Sequence, residues 1–332
     1  MNSMPSNPTI SIVTRSPGLD TAAIDAVVTV PTFRRPEQVL ETMESLRAQK
    51  TKRRFAVIVM ENEAEKREGA TSVTPMFERG DLTGMVIIAH KRGNCQAYNA
   101  GWETAVKYFP NFKHLLVIDD DEVADPNWLE QMCSTAERFG VDVVGGPQLP
   151  VFADPKHAAW AKHPIFTPHY DTTAVVPVLY SSGNLLVSHK VLTVMEPPYF
   201  DIKFNFMGGG DSDLLSRIIQ KGFKLAWCQE GIVSELVPAR RVESDWIRAR
   251  SLRNGVISTL VEKRKRAGTP FGQARVVAKS LALLAASTPR GLLKFLKTGS
   301  VSIGLYPVYI AIGRILAEFG YANEQYREPE KN

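Results

Sequence analysis

LLVIDDDEVADPNWLE, residues 115–130, decides the fold. Its leading apolar run, with Val and Ile in it, reads as a strand buried on both faces, and the spacing predicts that strand over 115–119. Four acids, Asp119, Asp120, Asp121 and Glu122, follow where the strand ends, and Asp125 ahead of Pro126 suits the cap of a helix over 127–139. Outward from this stretch the alternation repeats. Strands are expected at 26–30 (AVVTV), 55–60 (FAVIVM), 85–89 and 141–145. Helices are expected at 36–49, where Val39, Leu40, Met43 and Leu46 share one side, and at 94–108. Strand and helix in strict alternation imply an α/β fold with a largely parallel central sheet and helices on both faces. Ligands of such sheets sit at the carboxyl ends of the strands.

After Pro147 the alternation gives way to a Pro- and His-containing loop at 150–171, then SSGNLLVS at 181–188 and a short helix from Lys190. A helix over 212–221 and a strand over 224–228 follow. Beyond Trp246 nearly everything reads as helix, with breaks expected at Pro289 and Pro307. The first two dozen residues are set outside the fold as a disordered segment.

The chain has 332 residues, 44% of them hydrophobic and 23% charged, which is enough apolar material for one large core and excludes collagen, disorder and a disulfide-stapled miniprotein. Cys95, Cys133 and Cys228 are too scattered for a metal knuckle, and their odd number does not make a disulfide framework, so a reducing, cytoplasmic compartment is expected. The start lacks a basic region followed by an apolar one, so no signal peptide is expected. The longest uncharged stretch, 16 residues at 298–313, holds Pro307 and three glycines and falls short of the roughly 20 apolar residues a spanning helix needs. No transmembrane helix is expected.

Net charge is +5, unevenly laid: residues 240–297 carry fourteen Lys and Arg against Glu243, Asp245 and Glu262, leaving −6 for the rest. An acidic body therefore bears a basic tail. Leu, Val and Phe interleave with its cations at helical spacing, which suits a helix lying on an anionic membrane surface; packing against the body is the competing reading. No recognition motif accompanies the cations, so nucleic acid is not expected as a partner.

Four adjacent acids in a ligand crevice repel one another unless a cation joins them, and carboxylate oxygens suit a hard ion, Mg²⁺ or Mn²⁺. The competing reading is a solvated turn that caps the next helix. A second acidic site, GGGDSD at 208–213, also serves as a helix start, with Asp211 as cap.

Five motifs in order resemble glycosyltransferase family 2 of the GT-A fold: the segment at 29–49 (TVPTFRRPEQVLETMESLRAQ) with FAVIVMEN, RGNCQAYNAGWETA at 92–105, LLVIDDDEVADPNWLE, SSGNLLVSHKVL and GGGDSDLLSRIIQKG. Within the family the chain looks most similar to bacterial enzymes that build surface polysaccharide or exopolysaccharide on a lipid-linked acceptor. The resemblance implies a GT-A domain over 25–255, with a Rossmann-like nucleotide half (25–147) and an acceptor half (148–255), between segment 1–24 and a basic, apolar helical region at 256–332. It places Pro31, Thr32, Phe33 and Arg34 against the nucleotide. Glu61 stands where the family usually has an Asp that accepts from uracil, and Arg92, Asn94 and Asn99 stand where it contacts base, ribose or phosphate. Asp119 would face the ribose, with Asp120 beside it in the nucleotide site. Asp121 would bind the metal, with Asp119 as a second candidate ligand.

The family's Glu-Asp pair maps onto Gly210 and Asp211, which makes Asp211 the base that deprotonates the acceptor and Asp213 the rival; the absent Glu is a departure. Ser182, Gly183, Asn184, Gly209 and Gly210 match segments near donor sugar and acceptor. Arg250 and Arg253 lie where a basic helix approaches the diphosphate. The implied activity is a metal-dependent, inverting transfer from a nucleoside diphosphate sugar, uridine-linked, to a hydroxyl of a lipid-linked glycan at the inner membrane face. Two other readings stand beside it: a catalytically impaired sugar-nucleotide-binding protein, prompted by Gly210, and an aspartyl-nucleophile phosphotransferase, whose usual D-x-D-x-T order Glu122 and Val123 do not follow.

Overall fold

From the amino end the elements run β1 (Ile10–Arg15), β2 (Ala26–Thr32), α1 (Pro36–Arg47), β3 (Phe55–Glu61), α2 (Glu68–Glu78), β4 (Gly84–Ala89), α3 (Asn94–Tyr108), β5 (His114–Val117) and β6 (Glu122–Ala124). They continue as α4 (Trp128–Phe139), β7 (Val143–Gly145), β8 (Gln148–Phe152), β9 (Ala174–Val176), β10 (Leu185–Ser188), α5 (His189–Met195) and α6 (Gly210–Gln220). Last come β11 (Leu225–Trp227), β12 (Val233–Val237), α7 (Ser244–Lys265), α8 (Gly272–Thr298) and α9 (Val301–Leu316). This is a computed structural model, and it describes residues 9–321 and 327.

Side-chain alternation along the buried strands sorts the core into two layers. Ile58 and Met60 of β3 face α3 and its Tyr98 and Trp102, while Val57 and Val59 face the other way, toward Met43 of α1, Phe77 of α2 and Trp128 of α4. The strands between them form one nine-stranded sheet in the order β1-β4-β3-β2-β5-β10-β7-β11-β9. The pairs β4/β3, β3/β2, β2/β5 and β7/β11 are parallel. A smaller sheet, β6-β12-β8, lies beside it.

Strand β10 enters antiparallel between β5 and β7, with Leu185 opposite both Val117 and Gly145. Segments 25–147 and 148–255 therefore both contribute strands to the one large sheet. The direction of β10 matters for the site, because its beginning meets the end of β5.

Several expectations are corrected. Residues 10–15 are a strand that pairs with β4, and Asp20 caps a short turn at 21–23, so segment 1–24 joins the fold from Thr9 onward; residues 1–8 lie outside the described residues. Helix α2 was not expected, because GATSVTP mixes β-branched residues with Pro75, yet the burial of Val73, Met76 and Phe77 secures it. Helix α7 runs across the boundary at 255/256. A Cβ on Gly255 would lie 2.1 Å from the Ile310 carbonyl oxygen, so α9 packs directly on α7, and the described part of region 256–332 is largely helical. Its last residues, 322–326 and 328–332, lie outside the described residues. Pro289 and Pro307 sit inside α8 and α9 instead of ending them, since interhelical packing carries the helices across each missing N–H. The real break is Gly299, in the left-handed region, followed by Ser300, whose hydroxyl accepts from the Ile303 N–H at 3.4 Å.

Candidate active site

Strands β2, β3 and β5 all end on one edge of the sheet, with Thr32 opposite Glu61 in register. The acid run follows directly from β5. Tyr98 of α3 donates its hydroxyl proton to Asp119, and Ser182 reaches the same phenol. Glu122 turns back to accept from the Asp119 N–H at 2.9 Å and also receives Gln148. Because β10 is antiparallel, Gly183 lies against this group: a Cβ there would stand 2.4 Å from Gln148 Nε2 and 2.9 Å from Asp119 Oδ2. Only glycine lets the backbone come so near.

Two of the four acids find a cation within the chain itself. One nitrogen of Arg35 reaches Asp120 at 2.9 Å and Asp121 at 2.8 Å, just before Pro36 opens α1. Arg241 lies 3.7 Å from Asp121 and 2.6 Å from Glu235, whose Cα is paired with that of Glu122 across β12 and β6. Burial, reinforced by the neighbouring carboxylates, pushes Asp119 up to about 7 and Asp120 up to about 6, the latter opposed by Arg35. Burial and Asp119 hold Glu122 well above the ordinary range. Arg35, Arg241, Glu235, Gln148 and Tyr98 were all missed by the sequence reading.

Among the described residues no three His, Cys, Asp or Glu side chains converge as a ready metal cage. A hard cation in a nucleotide site does not need one, since Mg²⁺ takes one or two carboxylates and fills its other positions with water and phosphate oxygens. Asp121 offers such an oxygen at the rim of the acid run, so the donor set fits a Mg²⁺ or Mn²⁺ ion.

Beside the acid run the guanidinium groups of Arg34 and Arg92 lie over the ring of Phe33, 4.9 and 5.1 Å from its centroid. The Phe33 N–H donates to Asp120 at 3.3 Å, and Arg34 is also paired with Glu63 at 2.7 Å. Pro31 and Thr32 are the buried end of β2. Asn94 opens α3 with its side chain exposed. The loop before it is clamped by Asn62, which accepts from the Gly93 N–H at 2.6 Å, and by Asn205, which donates to the Arg92 carbonyl at 2.8 Å.

Other candidates turn inward. Glu61 is fully buried and accepts from the N–H groups of Glu63 at 2.8 Å and Ala70 at 2.9 Å, so its carboxylate caps the first turn of α2. Asn99 exchanges two 2.8 Å bonds with the backbone of Phe200, and Asn184 joins Trp128, Pro147 and Gly231. Both amides hold segments together in the core.

Across the crevice, Asp211 sits in the first turn of α6 and accepts from the Ser212 N–H at 2.7 Å. Burial raises its carboxyl above the usual range, and the charge of Arg250 opposes the rise. That same arginine acts on Glu235 and so links the two acidic sites electrostatically. Asp213 is committed elsewhere: it is buried and paired with Arg217 at 2.8 Å and Arg264 at 2.9 Å. Arg253 is buried beside Arg248, Leu252 and Tyr321. Gly209 adopts a left-handed φ of 89°, with Ile257 where a side chain would be.

Gly210 explains the missing glutamate sterically, since a Cβ would lie 2.7 Å from Cys95 Sγ and 3.4 Å from Phe200. Gly210→Glu is therefore expected to destabilise the fold by about 1–3 kcal/mol and to lower turnover instead of raising it. Thermal melting together with turnover checks this.

A mixed sheet with an acid run at the end of a central strand, and a second carboxylate at a helix start that shares the field of Arg250 with Glu235, agrees with the GT-A fold of glycosyltransferases. The chain belongs to glycosyltransferase family 2: the family described as Glycosyl transferase family 2 matches residues 27–194. It is similar to the succinoglycan biosynthesis protein ExoM of Rhizobium meliloti (strain 1021), 26% identical over 239 residues that span 68% of this chain and 71% of that protein. In fold it is similar to the mannosyltransferase PcManGT from Pyrobaculum calidifontis, solved with GDP-Man and Mn²⁺, at TM-score 0.56 and 15% identity over 91% of this chain and 89% of that one. It is likewise similar to S. aureus TarS 1-349 in complex with UDP, at TM-score 0.52 and 13% identity over 90% and 91% of the two chains.

Proposed function

We propose that this glycosyltransferase moves a sugar from a nucleoside diphosphate, uridine-linked, to a hydroxyl of a lipid-linked glycan, with inversion, in polysaccharide assembly at the cytoplasmic face of the membrane. The observation that carries it is the pairing of Asp211, part-buried and outside any ion pair among the described residues, with an acid run at the end of β5. ExoM's role in succinoglycan biosynthesis supports a polysaccharide product. UDP in TarS supports the donor class, and the GDP-Man of PcManGT names the rival base.

In this reading Phe33, Arg34, Arg92 and Asn94 bind the nucleotide, and Tyr98 fixes Asp119 for the ribose. Asp121 would hold Mg²⁺ or Mn²⁺, whose chemistry there is to neutralise the diphosphate. Asp211 takes the proton of the acceptor hydroxyl as its oxygen bonds to the anomeric carbon from the face opposite the diphosphate. The bond from that carbon to the diphosphate oxygen breaks, and the electron pair leaves with the nucleoside diphosphate. Arg250, between the two acidic sites, adds positive charge where negative charge grows.

Incubation with UDP- and GDP-sugars, Mn²⁺ and lipid-linked glycan extract tests the proposal. Release of UDP with a product of inverted configuration is expected. Tight Mn²⁺-dependent UDP binding with no release would mark an impaired sugar-nucleotide-binding protein instead.

A further inference from the structure

Helix α8 has three distinct sides. Val276, Ser280, Ser287 and Gly291 are buried, and a Cβ on Gly291 would sit 2.5 Å from the Gly304 carbonyl oxygen, so small residues hold α8 closely against α9. A second side carries Leu281, Leu284, Leu292, Phe295 and Leu296 at helical spacing and turns them outward; Leu281 is 55% exposed, Leu292 58% and Leu296 70%. Phe271, 80% exposed, stands at the start of the helix. The third side carries Arg275, Arg290 and Lys297 together with Lys279, which is paired with Glu262 of α7 at 2.9 Å, and α8 itself contains no Asp or Glu. In an ordinary helix of this fold the apolar stripe faces the core. Here it faces out.

Helices at 272–298 and 301–319 are long and apolar enough to cross a membrane by length and composition, although none was expected from the sequence. Their anchoring argues against crossing. A Cβ on Gly313 would lie 2.0 Å from the Leu252 carbonyl oxygen, and the buried Arg314 is paired with Glu262 at 2.9 Å, so α9 is built into the body. Helix α8, about 40 Å long, is thereby held alongside α9, with cations toward both of its ends, at 275 and 279 and again at 290, 294 and 297.

We infer that α8 lies in the interface of an anionic bilayer, its Leu and Phe stripe at the boundary between headgroups and acyl chains and its basic stripe among the headgroups. Charge selects this occupant. A second copy of the chain would set one acid-free basic helix against another, whereas anionic lipid complements it. The inference deepens the membrane location proposed above and rests on it, but it needs neither donor nor acceptor.

The full chain is to be sedimented with phosphatidylcholine vesicles, with and without phosphatidylglycerol, in the absence of nucleotide sugar. Binding to the anionic vesicles that weakens with salt is expected. The triple variant Leu281→Gln, Leu292→Gln, Leu296→Gln should retain the wild-type melting temperature and bind at least about tenfold less. Should that variant fail to fold, the pair Arg290→Gln and Lys297→Gln should reduce binding by about tenfold or more on its own. Undiminished binding by the folded variants would overturn the inference, as would a concentration-dependent dimer that the Leu variant abolishes. Failure here would leave the transferase reading intact, because nucleoside diphosphate release is measured separately.

Discussion

Asp211→Asn is expected to lower kcat by about 10² to 10⁴-fold while the affinity for UDP barely changes, because what it removes is proton transfer in the transition state. The amide keeps an oxygen for the Ser212 N–H, so the helix start survives. Burial holds the Asp211 carboxyl above its ordinary range. A base works only when ionised, so kcat/KM should fall as pH drops through that raised value and the acid limb should vanish in the variant. Stability runs the opposite way. A carboxyl whose folded pKa is raised contributes stability below its unfolded pKa and loses it as pH rises through the folded one. At neutral pH, Asp211→Asn should therefore melt no lower than the wild type. Asp213→Asn should show the reverse pattern: modest kinetics, but a loss of about 1–3 kcal/mol, less than for a fully buried pair because Arg264 is half-exposed and keeps Asp201. Exchanged outcomes would make Asp213 the base.

The second large effect is expected at Asp121, the proposed metal ligand. Asp121→Ala should weaken Mn²⁺-dependent UDP binding about 10²-fold or more, as expected for several kcal/mol of charge stabilisation at the diphosphate. The fold should persist, since Arg35 keeps Asp120 and Arg241 keeps Glu235. Titration of UDP calorimetrically with and without Mn²⁺ checks this. An unchanged Mn²⁺ effect would place the ion on other ligands.

Legibility followed the range of the forces involved. Strands β2, β3, β4 and β5 and helices α1, α3 and α4 could be read because period and burial are local properties; α3 runs over 94–108, as its pattern predicts. Strand β1 was lost because ISIVTR is a short edge strand whose partner, β4, lies some seventy residues away. The acid run of the candidate site is contiguous in the sequence, but its counter-cation is not apparent there. Arg35 reads as one more surface cation until the turn before α1 brings it onto Asp120 and Asp121. Glu235 lay in the stretch VSELV, which drew no strand assignment, and only its pairing with β6 brings it to Glu122. The backbone partners of Asn99 and Glu61 were hidden for the same reason. Residue type and motif position suggested ligands, while burial and backbone partners in distant segments gave them structural work.

Strand β10 also bears on the order of assembly. On the ribosome β5 gains its second neighbour only after residue 188 has been made, roughly seventy residues after β5 itself, and closing so large a loop is slow. Until then the β5 edge, apolar on both faces, stands open to pairing with other chains. In that same closure Ser182 reaches the Tyr98 phenol and Gly183 comes up against Asp119. The nascent chain is thus most exposed to aggregation during the interval in which the surroundings of Asp119 are incomplete, and one strand insertion ends both conditions.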